Sequence, residues 1–412
     1  MKTGRTVSLE EALQIVLRTA PVLPSEPVPL ESAAGRILRE DVRSDRDFPG
    51  FDKAMMDGYA VIAADLASPP RDLRVLEEIA AGADPGRLAG VTPGCASRIM
   101  TGAPVPPGAD AVLMVEETEP VPGDPARVRV KGSVRRGDNL ARRGVDVRAG
   151  DVLLNDGDWI GPGEIGVLAS CGRALLQAGR RPRLAVLPTG DELVEPRETP
   201  GPGRIRNSNG PLLMAMAQQA GAAATYLGIV RDDRRAIAAA LARGLEHDVL
   251  VLSGGVSMGV HDLVGESIAA AGVEILFDRV AIKPGRPFTF GRRGNTLVFG
   301  CPGNPVSSYV IFRMFARPAL RKMMGHPDPV PTPLRGVLDT PVRQKPGRAG
   351  CYQARARFAD GVCRVAVLPT SGSADFVSCA RGNALALVPA GVAALAPGDP
   401  VDVLLLEDHD AR

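Results

Sequence analysis

Residues 181–325 constrain the fold most, because apolar strand-like runs alternate there with segments of helical periodicity. In chain order these segments read RLAVLPT, SNGPLLMAMAQQAG, ATYLGIV, DRRAIAAALARGL, DVLVLSGG and DLVGESIAAAG. Such alternation is typical of βαβ units and predicts a mostly parallel, doubly wound sheet with helices on both faces. A further helix from about Pro305 to Met324 closes this α/β domain.

The rest of the chain predicts smaller, β-rich parts. The full length of 412 residues corresponds to two to four domains at about 150 residues each. Ser8 and Glu11 form a capping box before a first helix of about a dozen residues. Residues 51–137 and 334–412 read as short strands separated by Gly/Pro turns, the latter as a small barrel or sandwich. An inserted domain would split its parent, so residues 138–180 are expected to rejoin the N-terminal segment.

Composition excludes several classes of protein. A net charge of +2 with 23% charged residues argues against a general polyanion binder, so no nucleic acid is expected as partner. Six cysteines without a C-x-x-C pair and four histidines argue against a zinc or iron–sulfur site. The sequence has neither the apolar core of a signal peptide nor a run of about 18 apolar residues. We therefore expect a cytoplasmic protein without a membrane segment.

Polar loops follow three predicted strands of the α/β domain. Asp191 and Glu192 follow the first strand, and Asp232 and Asp233 follow the second. The third leads into a Gly-rich loop at 253–259 and then Asp262. Ligands of open parallel sheets bind at the carboxyl ends of the strands, where glycine N–H groups can hold phosphate and paired carboxylates can hold Mg²⁺. The loop lacks the Walker and dinucleotide-binding patterns, and a tight turn capped by serine is the alternative.

Two further segments suit an oxyanion. Lys283 and Arg286 lie on a backbone stiffened by proline and glycine, and Ser307 lies at the start of the last predicted helix. Purely structural turns remain an alternative for either segment. Their coincidence with the Gly-rich loop and the carboxylates favours a binding site.

Outside this domain, two loops and an arginine run stand out. Asp57 and Thr101 are bracketed by turn-forming residues, and Asp57 could equally cap a turn or contact a substrate. The arginine run, most simply a solvated face, contains Arg135, Arg136, Arg142, Arg143 and Arg148.

Taken together, these segments resemble the molybdopterin molybdenumtransferase family, which includes MoeA and the gephyrin E-domain. The similar text includes PGFDKAMMDGYAV, RIMTGAPVPPGADAVLMVEE, GDNLARRGVDVRAGDVLL, RPRLAVLPTGDEL, VLSGGVSMGVHD, VAIKPGRPFTFG and CPGNPVSSYV. The resemblance implies an elongated four-domain chain. Its domains would be a discontinuous N-terminal domain (1–50 and 138–180), an inserted β-rich domain (51–137), the molybdopterin-binding α/β domain (181–325) and a C-terminal β-barrel (326–412).

The resemblance also implies a reaction and an assembly. Adenylylated molybdopterin and molybdate would give molybdenum cofactor and AMP, assisted by Mg²⁺. The family forms homodimers with each active site at the subunit interface. Molybdopterin adenylyltransferase and maturation proteins of molybdoenzymes are the other implied partners.

Site residues follow from matching motifs. Catalytic roles fall to Asp57, Thr101, Asp146, Glu192 and Lys283, the first two reaching the site from the partner subunit. The metal or the substrate's phosphates would be held by Asp191, Glu192, Asp233 and Asp262, with Asp232 an equally good candidate for the paired position. The pterin phosphate would lie on Gly254, Gly255, Ser257 and Gly259. Molybdate would bind Lys283, Arg286, Pro287, Ser307, Arg348 and Ser373.

Three positions depart from the family pattern. Val145 replaces a glutamate in the usual G-E-D, Asn207 replaces an aspartate before Ser208-Asn209, and Arg286 replaces a lysine. Two other functions stay open: molybdopterin adenylyltransferase, which shares only the α/β part, and a non-catalytic scaffold of the same fold. Neither a preference for molybdate over tungstate nor the downstream acceptor enzyme follows from the sequence.

Overall fold

The chain forms two compact units. The computed structural model describes residues 5–255, 263–370, 372 and 374–406. The larger unit contains Met1–Glu40, Asp156–Gly161 and Leu175–Arg412. The smaller unit contains Asp41–Asn155 and Pro162–Ala174.

Helices and strands are short throughout, as the many Gly/Pro turns predict. The α-helices of the described residues are α1 (Leu9–Thr19), α2 (Pro162–Ser170), α3 (Asn209–Gln219), α4 (Arg234–Gly244), α5 (Leu263–Ala270), α6 (Pro305–Ile311), α7 (Arg317–Met323) and α8 (Val377–Arg381). The strands up to residue 179 are β1 (Thr6–Val7), β2 (Ser25–Pro29), β3 (Val42–Arg43), β4 (Lys53–Ala54), β5 (Gly58–Val61), β6 (Arg71–Ile79), β7 (Cys95–Ile99), β8 (Ala111–Met114), β9 (Thr118–Val121), β10 (Asp124–Val130), β11 (Leu140–Ala141), β12 (Val152–Leu154) and β13 (Leu175–Gly179). The later strands are β14 (Arg183–Pro188), β15 (Leu193–Val194), β16 (Ile205–Arg206), β17 (Ala223–Tyr226), β18 (Val249–Ser253), β19 (Glu274–Val280), β20 (Ile282–Lys283), β21 (Pro287–Arg293), β22 (Thr296–Cys301), β23 (Leu334–Leu338), β24 (Val342–Arg343), β25 (Ala349–Ala359), β26 (Val362–Val367), β27 (Ala384–Val388), β28 (Ala394–Leu395) and β29 (Pro400–Leu405).

The α/β part of the larger unit is built on a seven-stranded sheet in the order β1-β19-β21-β22-β18-β14-β17. The four strands from β22 to β17 run parallel, whereas β21 is antiparallel to both of its neighbours. Alternate residues of β14 enter two separate cores: Leu184 and Val186 pack with α3 and α6, and Ala185 and Leu187 pack with α4 and α5. The predicted doubly wound arrangement is confirmed.

The first helix also belongs to this sheet. Ser8 Oγ accepts a hydrogen bond of 3.1 Å from Glu11 N–H, as the predicted capping box requires. Strand β1 pairs in parallel with β19, and α1 buries Ala12 and Val16 in the α/β core. This docking was not predicted. The N-terminal segment also makes strand pairs with residues after 138, since β2 pairs with β13 and β3 with β12.

The last helical segment of the α/β part runs from Pro305 to Met323 as predicted, but it is not α-helical throughout. A π-helical stretch, Phe312–Ala316, joins α6 to α7. Phe312 and Phe315 are buried in the core beneath it. The wider turn therefore lies where large aromatic side chains must fit.

The C-terminal part of the larger unit is a closed five-stranded barrel. Its strands follow one another in the order β25-β26-β23-β29-β27, and β27 pairs back onto β25. Small and branched side chains such as Leu338, Val365 and Val403 fill its interior. The structure thus selects the barrel from the two predicted alternatives.

The smaller unit is β-rich, as predicted. Its main sheet has six strands in the order β8-β5-β7-β6-β10-β9. Alternation again divides side chains between two cores, so that Val61 and Leu113 lie in one while Ala60 and Val112 lie in the other. The exact domain boundaries proposed from the sequence stay predictions.

Candidate active site

Two cavities of the larger unit are lined by seven of the predicted site residues. The first, the basic cavity, has a volume of about 320 Å³ and is lined by Lys283, Arg286 and Arg348. The second, the strand-end cavity, has a volume of about 570 Å³ and is lined by Thr189, Ser253 and Gly254. Asn304 lines both cavities, so they adjoin each other.

Strand pairing assembles the basic cavity from distant parts of the chain. Strand β20 pairs in parallel with β25, placing Lys283 opposite Gly350 and hence close to Arg348. Ser307, which is 3% exposed, comes from the first turn of α6. Five predicted oxyanion residues therefore line one cavity: Lys283, Arg286, Pro287, Ser307 and Arg348. Ser373 lies outside the described residues.

The basic cavity carries positive charge without acidic neighbours. Among the described residues that line it there is no aspartate or glutamate. Lys283 Nζ lies 5.9 Å from the centre of the Tyr352 ring, which favours a cation. Burial raises the pKa of the Cys351 thiol to about 12, so this residue stays neutral. The cavity is therefore suited to an anion.

The strand-end cavity lies at the carboxyl ends of β14 and β18, as predicted for a ligand site. Asn209 Nδ2 donates to Ser253 Oγ at 2.6 Å and to the Gly303 carbonyl at 2.8 Å, which joins the start of α3 to the end of β18 and to the loop before α6. Gly254 has a φ of +96°, and a Cβ there would lie 2.3 Å from the Thr189 carbonyl oxygen. Only glycine fits this close approach.

Two buried polar atoms of this cavity wall lack partners among the described residues. They are Thr189 Oγ1 and Asn209 Oδ1, on side chains that are only 1% and 7% exposed. Leaving such groups unpaired costs stability, so they indicate a polar ligand. Asn209 was missed as a site residue by sequence reasoning, although its position at the start of a helix after a strand was a usable signal.

The other members of the predicted Gly-rich loop divide between described and undescribed residues. Gly255 follows Gly254 with a φ of +64°. Ser257, Gly259 and Asp262 lie outside the described residues. Their proposed contacts with phosphate or metal therefore stay predictions.

The adjacent acidic residues have different surroundings. Asp191 Oδ1 accepts a hydrogen bond of 3.3 Å from the backbone N–H of Asp232. The pKa of Asp232 is raised, first by burial and then by the negative charge of Asp191. Asp233 instead caps α4, because its Oδ1 accepts from Ala236 N–H at 2.8 Å. The structure thus favours Asp232 over Asp233 as the partner of Asp191, while Glu192 lines the strand-end cavity.

The smaller unit joins Asp57 and Thr101. Asp57 Oδ1 accepts from the Thr101 backbone N–H at 2.7 Å and from Thr101 Oγ1 at 2.6 Å. The Thr101 side-chain and backbone hydrogen bonds lower the pKa of Asp57. Both side chains are exposed. An ionised carboxylate is therefore held in a defined position at the surface.

Asp146 and the arginine run lie in the same unit. Asp146 is exposed, and its N–H donates to the Phe48 carbonyl at 3.1 Å. Arg142 pairs with Asp52 at 2.5 Å, and Arg143 pairs with Asp47 at 2.6 Å. These arginines thus hold the chain segment around Asp146 in place.

In the part of the chain that the structure describes, no three His, Cys, Asp or Glu side chains form a group able to hold a metal ion. Across the same residues, no helix combines the length and apolar character needed to cross a bilayer.

Three family models match consecutive parts of the chain. They are described as "MoeA N-terminal region (domain I and II)" for residues 7–172, "Probable molybdopterin binding domain" for residues 185–322 and "MoeA C-terminal region (domain IV)" for residues 335–406. The doubly wound domain with a cavity at its strand ends, the β-rich segments and the closed barrel thus define a MoeA-type protein.

Full-length relatives agree. A molybdopterin molybdenumtransferase of Staphylococcus aureus (strain Mu50) is 31% identical over 411 residues, covering 98% of this chain and 97% of that protein. The corresponding protein of Staphylococcus epidermidis is 31% identical and covers 98% and 96%. Crystal structures of the MoeA protein from Pyrococcus horikoshii share 28–30% identity, with TM-scores of 0.79–0.80, and cover 97% of this chain and 99–100% of theirs. The chain belongs to the molybdopterin molybdenumtransferase family.

Proposed function

We propose that this protein inserts molybdate into adenylylated molybdopterin and releases AMP. The observation that carries the proposal is the shared wall between a cationic cavity and a cavity at the strand ends, with Asn304 lining both. An oxyanion and a phosphorylated substrate would then bind side by side. The full-length relatives that bear this enzyme name support the same reaction.

Charge is the main problem that the site must solve. Molybdate is a dianion, and it approaches a substrate that carries a dithiolene and a phosphoanhydride. Lys283, Arg286 and Arg348 offset this repulsion from one side of the cavity. The protein thus supplies binding, orientation and electrostatics, and no covalent enzyme nucleophile is required. Arg286 keeps the charge of the family's lysine and adds a planar fork of donors.

The strand-end cavity is proposed to hold adenylylated molybdopterin. Gly254 and Gly255 allow close approach of a phosphate to the backbone. Arg204 and Arg206 line the same cavity and add positive charge. Thr189 Oγ1 and Asn209 Oδ1 provide buried hydrogen-bonding groups.

Two of the acidic residues would form part of a Mg²⁺ site, whose remaining ligands lie outside the described residues or come from the substrate. Burial, and then the negative charge of Asp191, raise the pKa of Asp232, so a bound cation would stabilise the ionised form of this carboxylate. Asp191 and Asp232 would hold the ion together with Asp262, and Glu192 lies nearby on the cavity wall. Bound Mg²⁺ would polarise the phosphoanhydride and neutralise the leaving AMP.

A homodimer is proposed to complete the site. Asp57 and Thr101 would reach the cavities from the partner subunit. Exposed apolar side chains lie next to Asp57 in the sequence, with Met55 at 52% and Met56 at 44% exposure. Such side chains favour contact with another protein surface over contact with water. A cytoplasmic location, and the roles of molybdopterin adenylyltransferase as supplier and of maturation proteins as acceptors, stay predictions.

Reconstitution tests the reaction. Purified protein would be incubated with adenylylated molybdopterin while molybdate, tungstate and Mg²⁺ are varied, and released AMP would be measured. We expect AMP release that requires an oxyanion and is lost in Lys283→Ala, whereas Arg335→Ala, which removes an exposed arginine paired with Asp402, retains it. Lack of AMP under every combination would contradict the proposal. Adenylylation of molybdopterin from ATP would indicate the adenylyltransferase reaction instead.

A further inference from the structure

Gln353 is a buried amide on the wall of the basic cavity. It lies on β25 at the cavity lining and is only 6% exposed. Both Nε2 and Oε1 lack a hydrogen-bond partner among the described residues. A buried amide without partners costs free energy at each unpaired atom. Gln353 was not among the residues predicted from the sequence.

Nearby polar groups are already committed elsewhere. Ser378 Oγ donates to the Asp375 carbonyl at 2.7 Å, and Thr370 Oγ1 donates to the Gly372 carbonyl at 3.0 Å. Tyr352 donates its hydroxyl proton to Gln344 Oε1 at 3.0 Å. These lining groups therefore leave the amide of Gln353 available to a molecule in the cavity.

We propose that Gln353 is a further binding residue for the tetrahedral oxyanion, and this inference rests on the proposed function. Its Nε2 would donate a hydrogen bond to an oxygen of the anion, beside the charges of Lys283, Arg286 and Arg348. The terminal torsion of a glutamine side chain is soft, so the amide can turn toward a bound ligand. A neutral donor adds direction to the site without adding charge.

Leucine at this position separates binding from folding. Gln353→Leu removes both unpaired atoms and replaces the amide by an apolar side chain of similar volume, so the unfolding midpoint should not fall. The concentration of molybdate that gives half-maximal AMP release should rise about tenfold or more, with little change in the maximal rate. Gln353→Glu should raise this molybdate concentration further, because a carboxylate would face the anion. Gln218→Leu makes the same change at an exposed position of α3 and should behave like wild type.

Equilibrium dialysis with molybdate, tungstate and sulfate, without pterin, provides a second measurement. We expect weaker oxyanion binding by Gln353→Leu than by wild type. If the leucine variant does not fold, Gln353→Met serves as the test variant in its place. Equal half-saturating molybdate in wild type and Gln353→Leu would overturn the role of Gln353 while leaving the reaction intact. Oxyanion binding without AMP release would contradict the reaction, and the dialysis comparison would still decide on Gln353. Wild type that binds no oxyanion in either assay would overturn both.

Discussion

Asp232 and Asp233 are neighbours in the chain, but their carboxylates have different surroundings. Asp233 satisfies an N–H group at the start of α4, where a helix leaves backbone donors unpaired. Asp232 is partly buried beside Asp191, and its pKa is raised in consequence. Of these two adjacent aspartates, Asp233 is therefore a structural residue and Asp232 is a candidate metal ligand.

Matched substitutions test this division. Asp233→Ala should lower the free energy of unfolding by about 1 kcal/mol through loss of the cap, while the Mg²⁺ concentration for half-maximal AMP release stays unchanged. Asp232→Ala should leave the unfolding midpoint unchanged or higher, because it removes a partly buried carboxylate that lies beside a second negative charge, and should raise the required Mg²⁺ concentration several-fold. Thermal unfolding of each variant measures the change in stability, and titration of the rate of AMP release with Mg²⁺ measures the change in the Mg²⁺ requirement. The opposite pattern would restore Asp233 as the metal ligand.

A second residue-scale prediction concerns pH. Burial raises the pKa of Asp248, but hydrogen bonds from Arg180 and the Arg183 N–H, together with their charges, outweigh it and hold this pKa below its usual range. Arg180 binds both carboxylate oxygens, at 2.8 and 2.9 Å. Because the folded pKa lies below the unfolded value of about 3.9, the pair stabilises the fold above that pH and loses its effect as the pH falls through the folded value.

Asp248→Asn should therefore lower the free energy of unfolding at pH 7 by about 1–2 kcal/mol, because the pair is only partly buried and water screens part of its charge. The difference from wild type should begin to narrow at about pH 4, where the carboxyl of the unfolded chain becomes protonated, and should vanish only below the lower pKa of the folded protein. Urea unfolding of both proteins across pH 3–8 measures this difference in the free energy of unfolding. A difference that stays constant over this range would argue against the ion pair as its source.

At the scale of elements, close packing explains a glycine that a motif alone would assign to function. Gly58 lies directly after Asp57 and begins β5, the strand between β8 and β7. A Cβ on Gly58 would lie 1.9 Å from the Leu113 carbonyl oxygen on β8, which is backbone and cannot move aside cheaply. The sheet of the smaller unit thus requires glycine here for packing.

Gly58→Ala should destabilise the smaller unit by about 1–3 kcal/mol, the usual cost of overpacking. Gly166→Ala is the control in the same unit, since it lies within α2 with open space at the Cβ position and should stabilise by about 0.5–1 kcal/mol. Calorimetry of both variants measures the effect. A melting curve of Gly58→Ala that matches wild type would show that the strands separate readily.

The whole molecule is predicted to need two subunits for each active site. If Asp57 serves the partner's cavities and Lys283 serves its own, a mixed dimer of Asp57→Ala and Lys283→Ala subunits contains one intact site. Random exchange makes half of the dimers mixed, so the mixture should recover about a quarter of the wild-type rate although each variant alone is inactive. The recovered activity is measured as AMP release after the two variants have been refolded together. Absence of recovery, with mixed dimers verified by differential tagging, would place Asp57 and Lys283 in one subunit.

Most of the secondary structure, and the cavity at the strand ends, were predictable because they depend on local patterns. Continuous apolar runs predicted β14 and β18, and period-3.6 spacing predicted α3. The carboxyl ends of parallel strands must meet at one edge of the sheet. The docking of β1 beside β19 was not predictable, because an edge strand of two residues has no periodicity to detect. Gln353 was missed for a related reason: a glutamine in a barrel strand looks like a surface residue until its burial is known.

The sequence by itself determined the α/β domain, the β-rich segments and the family, since these are properties of spacing and motif. It also identified Lys283, Arg286 and Ser307 as residues suited to an anion. The family resemblance grouped Arg348 with them, but only the tertiary structure decided how a residue more than sixty positions after Lys283 reaches the same cavity, through the pairing of β20 with β25. Likewise, the choice between Asp232 and Asp233 depends on where a helix begins and which carboxylate is buried beside Asp191. These are distances between parts of the chain, which residue order does not record.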